Sequence, residues 1–456
     1  RSVEKEWGEA AYKIMLRIKN IFDPNKLINP GVIINENPRI HLENLKPSPP
    51  AHELVDKCME CGFCEPNCVA EGLTLSPRHR IVILREISRL KALGEDTKRL
   101  EQMVHDSKYF LNETCATDGL CGLACPVKID TGKLVKDIRH TEATETWKKR
   151  AAYIGDHMAD VTSAGRSTLN LVNLFQSILG DSLMGGIASG MRSISGDRIP
   201  KWNKYMPKGA HRINYQVVNE GQENKVVYFP SCINRTMGKS KDYAKDEVEL
   251  TRKTEELLMR AGYTIIYPDK LNSLCCGMAF SSKGYKEEGA KKSKELEEAL
   301  LKASEGGKYP ILFDMSPCFY TFFEANTNKD IRIYDPIEFM LTEVMPKLEV
   351  KNKRKVVTVF PVCSAKKIGM EGNLLKLAEM CSEEVKIVES NCCGFAGDRG
   401  FTFPELNKHG QRHLAEQIPH GCTEGYSTSR TCEIGMSEYS DINFKSIFYL
   451  IDEVTK

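Results

Sequence analysis

The chain has 456 residues, a formal charge of +2 and 41% hydrophobic residues. This length predicts two to three domains, and the composition is that of a folded protein rather than a disordered one. The near-neutral charge gives no electrostatic case for nucleic-acid binding. The 17 cysteines cluster as C-x2-C and C-C pairs, which fits metal ligation in a reducing compartment better than a disulfide framework. We therefore expect a cytoplasmic protein, or one on the cytoplasmic face of a membrane.

The first 50 residues predict a helix, a turn in "FDPNKLINPGVII" and a proline-rich linker. A secretory signal peptide is not recognisable there, and the start at Arg1 suggests a fragment or a processed chain.

Residues 51–145 contain two cysteine motifs on a mostly helical background. In "CMECGFCEPNC" the spacing is C-x2-C-x2-C-x3-C, which favours an iron–sulfur cube over a zinc site. "CATDGLCGLAC" has the same spacing, but Asp118 occupies its second cysteine position. The candidate ligands are Cys58, Cys61, Cys64, Cys68, Cys115, Asp118, Cys121 and Cys125.

In two-cluster ferredoxins the fourth cysteine of one motif binds the other cluster. The first site would then use Cys58, Cys61, Cys64 and Cys125, and the second would use Cys68, Cys115 and Cys121. At the second site either Asp118 holds a fourth iron through oxygen, or that iron is absent and a 3Fe-4S cluster results. Asp118 could also simply cap a turn. The spacing resembles the helical ferredoxin domain of the succinate dehydrogenase iron–sulfur subunit, and this resemblance implies the three-iron alternative.

Residues 146–222 predict a helical connector. Its most apolar stretch, residues 169–191, is interrupted by Asn173, Gln176 and Asp181, so we do not expect it to cross a membrane. A surface helical hairpin and a helix that docks peripherally on a membrane or a partner are the two alternatives.

From residue 223 short β-rich runs alternate with helical patterns, which predicts α/β units. Strands are expected at 225–229, 263–267, 310–313 and 355–360. "VVYFPSC" (226–232) matches "VTVFPVC" (357–363), and "SLCCGMAF" (273–280) matches "SNCCGFAG" (390–397). Two copies of one unit are therefore predicted, at 223–345 and 346–456.

Each copy carries a single cysteine, a Cys-Cys-Gly and a later cysteine. Adjacent cysteines can present two thiolates to one polynuclear site, and the glycine allows close backbone approach. This pattern resembles the cysteine-rich (CCG) domain of heterodisulfide reductases, which implies a metal or iron–sulfur site, in some members a non-cubane one. The usual closing C-x2-C is absent here. The candidate ligands are Cys232, Cys275, Cys276 and Cys318 in the first copy, and Cys363, Cys392, Cys393 and Cys432 in the second. Cys381 and Cys422 have no motif partner and are expected to be buried thiols.

Taken together, "KCMECGFCEPNC", "CATDGLCGLACPVKIDTG", "CCGFAGDRGF" and "GYSTSRTCEIG" resemble the C-terminal half of D-2-hydroxyacid dehydrogenases that contain FAD and iron–sulfur clusters. D-lactate and D-2-hydroxyglutarate dehydrogenases belong to this family. The resemblance implies a mixed α+β and α/β fold, in which a helical two-cluster ferredoxin domain precedes a duplicated cysteine-rich domain. "FDPNKLINPG" is similar to the last segment of the flavin-linked oxidase domain, which makes Asn29 and Gly31 flavin-site candidates.

The implied function is an electron relay from reduced FAD to a quinone, a cytochrome or a soluble carrier. The FAD would be held by a flavin-binding domain, fused upstream or on a separate chain. A glycine-rich pyrophosphate loop is not found before residue 50, so we expect the chain alone to be inactive on hydroxy acids. Two rival hypotheses are a stand-alone subunit that reduces a disulfide or a quinone, and a redox or iron sensor whose clusters gate a partner surface.

Overall fold

The computed structural model describes residues 3–31, 34–35, 37, 39–43, 48–197, 199–213, 216–328 and 330–456. The chain divides into two compact units, Arg1–Pro50 and Ala51–Lys456. In the first unit, α1 spans Val3–Phe22 and is non-helical at Gly8, and a 3₁₀ turn spans Ile40–Leu42. After α1, the Asp23 carboxylate accepts hydrogen bonds from the backbone N–H groups of Leu27 (2.7 Å) and Ile28 (3.0 Å), which closes the turn predicted there.

The second unit begins with the cysteine loops and the helices that hold them. Helix α2 (Pro77–Leu93) starts at Ser76, whose hydroxyl accepts from the backbone N–H of His79. It ends at Gly94, where the left-handed conformation (φ 65°) terminates the helix. Its buried apolar side chains include Ile81, Ile87 and Leu90. Further along lie α3 (Thr97–Ser107), a π-helical turn (Lys108–Glu113), α4 (Leu120–Ala124) and α5 (Thr131–Glu142).

Two helices connect this region to the sheets, α6 (Glu145–Asp156) and α7 (Met158–Ile194). Gly180 has non-helical angles (φ 75°, ψ 167°), so α7 consists of two helical segments joined at a kink. Within the described part of the chain, α7 is the one helix long and apolar enough to cross a membrane by length and composition.

The first cysteine-rich unit is built on a parallel sheet in the order β2-β1-β3-β4. Val227 lies in register with Ile266 on one side and with Ile311 on the other, so β1 is a central strand. The elements are β1 (Asn224–Phe229), α8 (Cys232–Thr236), α9 (Leu250–Arg260), β2 (Tyr263–Ile266), α10 (Met278–Ser281), α11 (Lys286–Ala303), β3 (Ile311–Phe313), α12 (Ser316–Ala325), β4 (Ile333–Tyr334) and α13 (Pro336–Phe339). A π-helical turn (Met340–Val344) and a 3₁₀ turn (Met345–Lys347) follow α13, and another 3₁₀ turn spans Leu271–Ser273.

The second cysteine-rich unit has the corresponding parallel order, β6-β5-β7-β8. Its elements are β5 (Arg354–Val359), α14 (Cys363–Lys367), α15 (Glu371–Cys381), β6 (Ser382–Ile387), α16 (Arg399–Thr402), α17 (Pro404–Gly410), a 3₁₀ turn (Ala415–Gln417), β7 (Glu424–Ser427), α18 (Arg430–Ser440), β8 (Asn443–Ser446) and α19 (Ile447–Thr455). The predicted fold class is confirmed: a helical cysteine-motif region precedes two parallel α/β units.

The two sheets share one hydrophobic core, to which Phe313 of β3, Val357 of β5 and Tyr426 of β7 all contribute. The four predicted strands lie within two residues of observed ones. Strands β4, β6, β7 and β8 were missed by the sequence reasoning. β4 is only two residues long, and the other three carry polar or charged residues that hide a strand pattern.

Candidate metal centres

Four of the predicted ligands line a single small, partly open cavity: Cys58, Cys61, Cys64 and Cys125. The loop that carries the first three turns sharply, because Glu60 and Gly62 both have positive φ values. The backbone N–H of Glu60 donates to the Cys58 sulfur over 3.4 Å. Such N–H···S bonds stabilise a thiolate, which is the form that binds metal. This is the group that the exchange of fourth cysteines predicts for the first site.

Charged side chains fasten this loop to α2. Arg85 forms an ion pair with Glu60 (2.8 Å) and donates to the backbone carbonyl oxygen of Cys58 (3.0 Å). Because Arg85 is buried, these bonds are shielded from water and hold the loop firmly. Burial also raises the pKa of the Cys64 thiol to about 11.

The second predicted group surrounds a buried arginine that the sequence reasoning did not single out. Arg80 of α2 donates to the sulfur of Cys68 (3.5 Å) and to the backbone carbonyls of Leu111 (3.1 Å) and Thr114 (3.3 Å). Burial opposes its charge, yet the nearby thiols of Cys115, Cys68 and Cys121 raise the pKa of Arg80 above its ordinary value. The guanidinium therefore supplies a fixed positive charge to these three sulfurs. We name Arg80 and these three cysteines the Arg80 group.

The Cys121 sulfur lies 3.4 Å from the Thr131 hydroxyl, and burial raises the pKa of this thiol well above its usual range. Among the described residues, no three His, Cys, Asp or Glu side chains converge closely enough for a single metal ion.

Asp118 lies between the second group and the second cysteine-rich unit. Its carboxylate accepts from the backbone N–H of Leu120 (3.0 Å), so it does cap the turn before α4. The thiol of Cys392 is a neighbour of this carboxyl group. Burial raises the pKa of Asp118, while the Leu120 bond, the Cys392 thiol and the neighbouring Lys367 act in the opposite direction.

The cysteines of each cysteine-rich unit come together at the carboxyl edge of the parallel sheet. In the first unit, Cys232 begins α8 directly after β1, and Cys318 lies in α12 after β3. The thiols are neighbours in the order Cys232, Cys275, Cys276 and Cys318. The Cys232 thiol lowers the pKa of Cys275, but the Cys276 thiol and burial raise it, to about 12 in all.

The second unit repeats this arrangement. Its thiols form the series Cys363, Cys392, Cys393 and Cys432, and the sulfurs of the last two are 3.0 Å apart. In both units the glycine of Cys-Cys-Gly donates its backbone N–H to the sulfur two residues earlier, over 3.4 Å. We name these two groups the first and the second cysteine set.

Only glycine fits after each cysteine pair. Gly277 and Gly394 have φ values of 89° and 72°, in the left-handed region that other residues avoid. A Cβ atom on Gly277 would lie 2.2 Å from the carbonyl oxygen of Gly289, and one on Gly394 would lie 2.4 Å from the carbonyl oxygen of Leu406. The chain therefore needs glycine at both positions to bring the paired thiols to the sheet edge.

Different neighbours cover the two cysteine sets. Cys232 and Cys275 pack against Ala151 of α6, Met158 of α7 and Phe280.

Cys363 and Cys392 instead pack in a cluster with Cys68, Val69 and Leu120 of the cysteine-motif region. The side-chain amide of Asn391 also donates to the carbonyl of Pro66 across the same interface (2.7 Å). The second cysteine set is thus in direct contact with the Arg80 group.

The remaining sequence-predicted residues lie elsewhere. In the Arg1–Pro50 unit, the flavin-site candidates Asn29 and Gly31 both have positive φ, and the carbonyl of Gly31 accepts from the Asn35 side chain (2.9 Å). Cys381 and Cys422 are buried in the second cysteine-rich unit, and the Cys422 thiol lies 3.3 Å from the hydroxyl of Thr358.

Three segments match known domain families. Residues 57–130 match 4Fe-4S dicluster domains, residues 226–323 match cysteine-rich domains, and residues 1–33 match the C-terminal domain of FAD linked oxidases. These matches confirm the resemblance recognised from the motifs.

A curated relative is the "Probable glycolate oxidase iron-sulfur subunit" of Bacillus subtilis (strain 168), which is 23% identical over 258 residues. The aligned region covers 52% of each chain, so the chain spans about half the length of the curated relative it matches. No solved structure matches the chain.

Proposed function

The chain carries a 4Fe-4S dicluster domain, a cysteine-rich domain and the terminal segment of an FAD-linked oxidase, and on this premise we propose that it is the electron-transfer portion of a flavin-dependent 2-hydroxyacid dehydrogenase. D-lactate or a similar D-2-hydroxy acid is the proposed substrate of the whole enzyme. The flavin would reside in a separate domain or chain, and the acceptor would be a quinone, a cytochrome or a soluble carrier. The name of the Bacillus relative supports this substrate class, because glycolate is itself a 2-hydroxy acid.

The residues suit iron–sulfur clusters at two places. Cys58, Cys61, Cys64 and Cys125 would hold a 4Fe-4S cluster, since they line one cavity and an N–H···S bond is already present. Cys68, Cys115 and Cys121 would hold the second cluster beside Arg80. When bound, these clusters supply one-electron transfer, which a two-electron flavin needs to reach a one-electron acceptor.

Asp118 favours a 3Fe-4S cluster at the second site. Its carboxylate accepts from the backbone N–H of Leu120, and this bond competes with ligation of a fourth iron. Low-temperature EPR of the oxidised, anaerobically purified chain tests this, because an oxidised three-iron cluster is paramagnetic and an oxidised cube is silent. The expected signal should disappear in Asp118→Cys. A silent spectrum in the unchanged protein would overturn the three-iron assignment.

The single observation that carries the proposed route is the packing of Cys68 with Cys363 and Cys392 of the second cysteine set. It joins the Arg80 group to the second cysteine set, so we place electron exit there rather than at the first set. After assembly with the flavin domain, addition of D-lactate should bleach the iron–sulfur absorbance of the Cys392→Ala variant, but electrons should no longer reach an external acceptor. Cys275→Ala is the matched control in the first set and should retain that transfer.

Two results would contradict this proposal. Failure of every 2-hydroxy acid tested to bleach the assembled protein would refute the dehydrogenase function. Oxidation of D-lactate by the chain alone would refute its role as a relay. Reduction of a disulfide or a quinone by the isolated chain, from a chemical reductant, would support the stand-alone subunit instead.

A further inference from the structure

Helix α7 buries polar side chains and exposes apolar ones, the reverse of an ordinary surface helix. Its buried residues are mainly polar or charged: Met158, Thr162, Arg166 and Gln176. Gln176 donates to the carbonyl of Lys204 (3.3 Å), and Arg166 donates to the carbonyl of Arg235 (3.3 Å). The polar face of the helix is therefore fastened to the protein body, and its apolar side chains point outward.

The outward side chains form a continuous apolar strip. Before the kink the spacing is i, i+3, i+4 and i+7, and after it the spacing is i, i+4, i+8 and i+11, as one face of a helix requires. Ile178 is 69% exposed and Leu174 is 55% exposed. The strip consists of Leu171, Leu174, Phe175, Ile178, Leu183, Ile187, Met191 and Ile194. An exposed apolar surface of this extent marks a site of contact with a membrane or with another protein.

Charge is nearly absent from the strip. Asp181 is the single charged residue between 167 and 191. Its carboxylate accepts from the Gln176 side chain (3.0 Å) and lies 3.6 Å from the Lys241 ammonium group. The one acid in this stretch is thus neutralised by the protein itself.

The surrounding segment is basic. Residues 145–212 contain ten lysines and arginines against five aspartates and glutamates, a formal charge of +5, whereas the whole chain carries +2. On the preceding helix α6, exposed Trp147 and Tyr153 lie beside Lys149 and Arg150 in one open groove. Aromatic and basic side chains together are typical of the boundary between an anionic membrane and water.

From these observations we propose that α7 lies in the plane of an anionic lipid membrane, with the apolar strip buried among the acyl chains at its surface. A crossing of the membrane does not fit, because the opposite face is bonded to the protein. Near its end, Arg192 donates to the carbonyl of Thr402 (2.7 Å), so both halves of the helix are held on the body. Charge complementarity selects anionic lipid over a neutral surface. This inference is independent of the proposed electron route.

Vesicle flotation of the full chain, purified anaerobically, tests the proposal. We expect binding to phosphatidylglycerol–phosphatidylcholine vesicles and much weaker binding to phosphatidylcholine alone, with a loss of affinity as salt is raised. The double variant Leu174→Glu, Ile178→Glu should lower the affinity by about tenfold or more, because it places two carboxylates in the apolar strip. Leu93→Glu is the matched control, since Leu93 is 56% exposed at the end of α2, and it should bind as the unchanged protein does.

Circular dichroism and the visible absorbance of the variants check that they fold and load metal. Equal binding by the double variant and the control would overturn the proposal. So would a lack of vesicle binding combined with a dimer, by light scattering, that the double variant abolishes. That outcome would assign the strip to a second copy of the chain.

Discussion

Arg80 should set the reduction potential of the second cluster. It is 1% exposed, and its guanidinium lies 3.5 Å from the Cys68 sulfur. Reduction adds one negative charge, which this cation stabilises. For a separation of roughly 7 Å and an effective dielectric constant of about 20, the Coulomb energy is about 2.4 kcal/mol. For a one-electron couple, about 1.4 kcal/mol corresponds to about 59 mV, so Arg80→Met should lower the reduction potential by about 100 mV.

An EPR-monitored redox titration measures this shift. Arg80→Lys is the control that keeps the charge, and it should shift the potential by less than half as much. The cluster proposed at Cys58, Cys61, Cys64 and Cys125 serves as an internal reference and should keep its potential. Arg80→Met also removes bonds to the carbonyls of Leu111 and Thr114, so we expect a loss of stability of about 1–3 kcal/mol. Equal shifts in the Met and Lys variants would refute the electrostatic reasoning, as would a shift confined to the reference cluster.

Three further predictions concern stability and metal content. Burial raises the pKa of Asp335 from 3.8 to about 7, so between these values the unfolded chain binds fewer protons and the free energy of unfolding falls as pH rises. In urea unfolding, the free energy of unfolding of Asp335→Asn minus that of the unchanged protein should be about 2–3 kcal/mol larger at pH 8 than at pH 5. An equal difference at both pH values would contradict the assignment. By metal analysis, Gly394→Ala should lose iron from the second cysteine set. Gly397→Ala is the control, because Gly397 has a similar φ of 74° but open space around it; it should lose only about 1–2 kcal/mol of stability and keep its iron. Equal iron losses in the two variants would count against the steric argument. Cys381→Ala should leave the iron content unchanged, and a loss would show that this thiol is a ligand.

Much of the fold follows from local sequence patterns. The apolar runs of β1, β2, β3 and β5 are strong signals that the structure confirms, and so is the mostly helical background between the two cysteine motifs. The internal repeat predicted two copies of one unit, and the two sheets do share one strand order. Strands such as β6 (SEEVKI) could not be found this way, because tertiary pairing with β5 rather than hydrophobic alternation makes them strands.

The candidate sites were predicted as sets of residues but not as neighbours. Cysteine spacing identifies which thiols belong to one motif, and the structure does bring each predicted set together. The proximity of Asp118 to Cys392 could not be predicted, since the two residues are 274 positions apart in the chain. Arg80 had a detectable signal, because an arginine four and seven residues before Leu84 and Ile87 occupies an otherwise apolar helix face. The outward face of α7 had none, because periodicity alone does not tell which side of a helix meets the protein.

The two cysteine sets have the same scaffold under different covers. One lies beneath Phe280 and the start of α7, and the other lies beneath the Arg80 group. Two sets built on one scaffold therefore have separate surroundings within a single chain. A substitution in the cover of one set leaves the surroundings of the other unchanged, so the metal content of each set and the molecules that reach it can be altered one at a time.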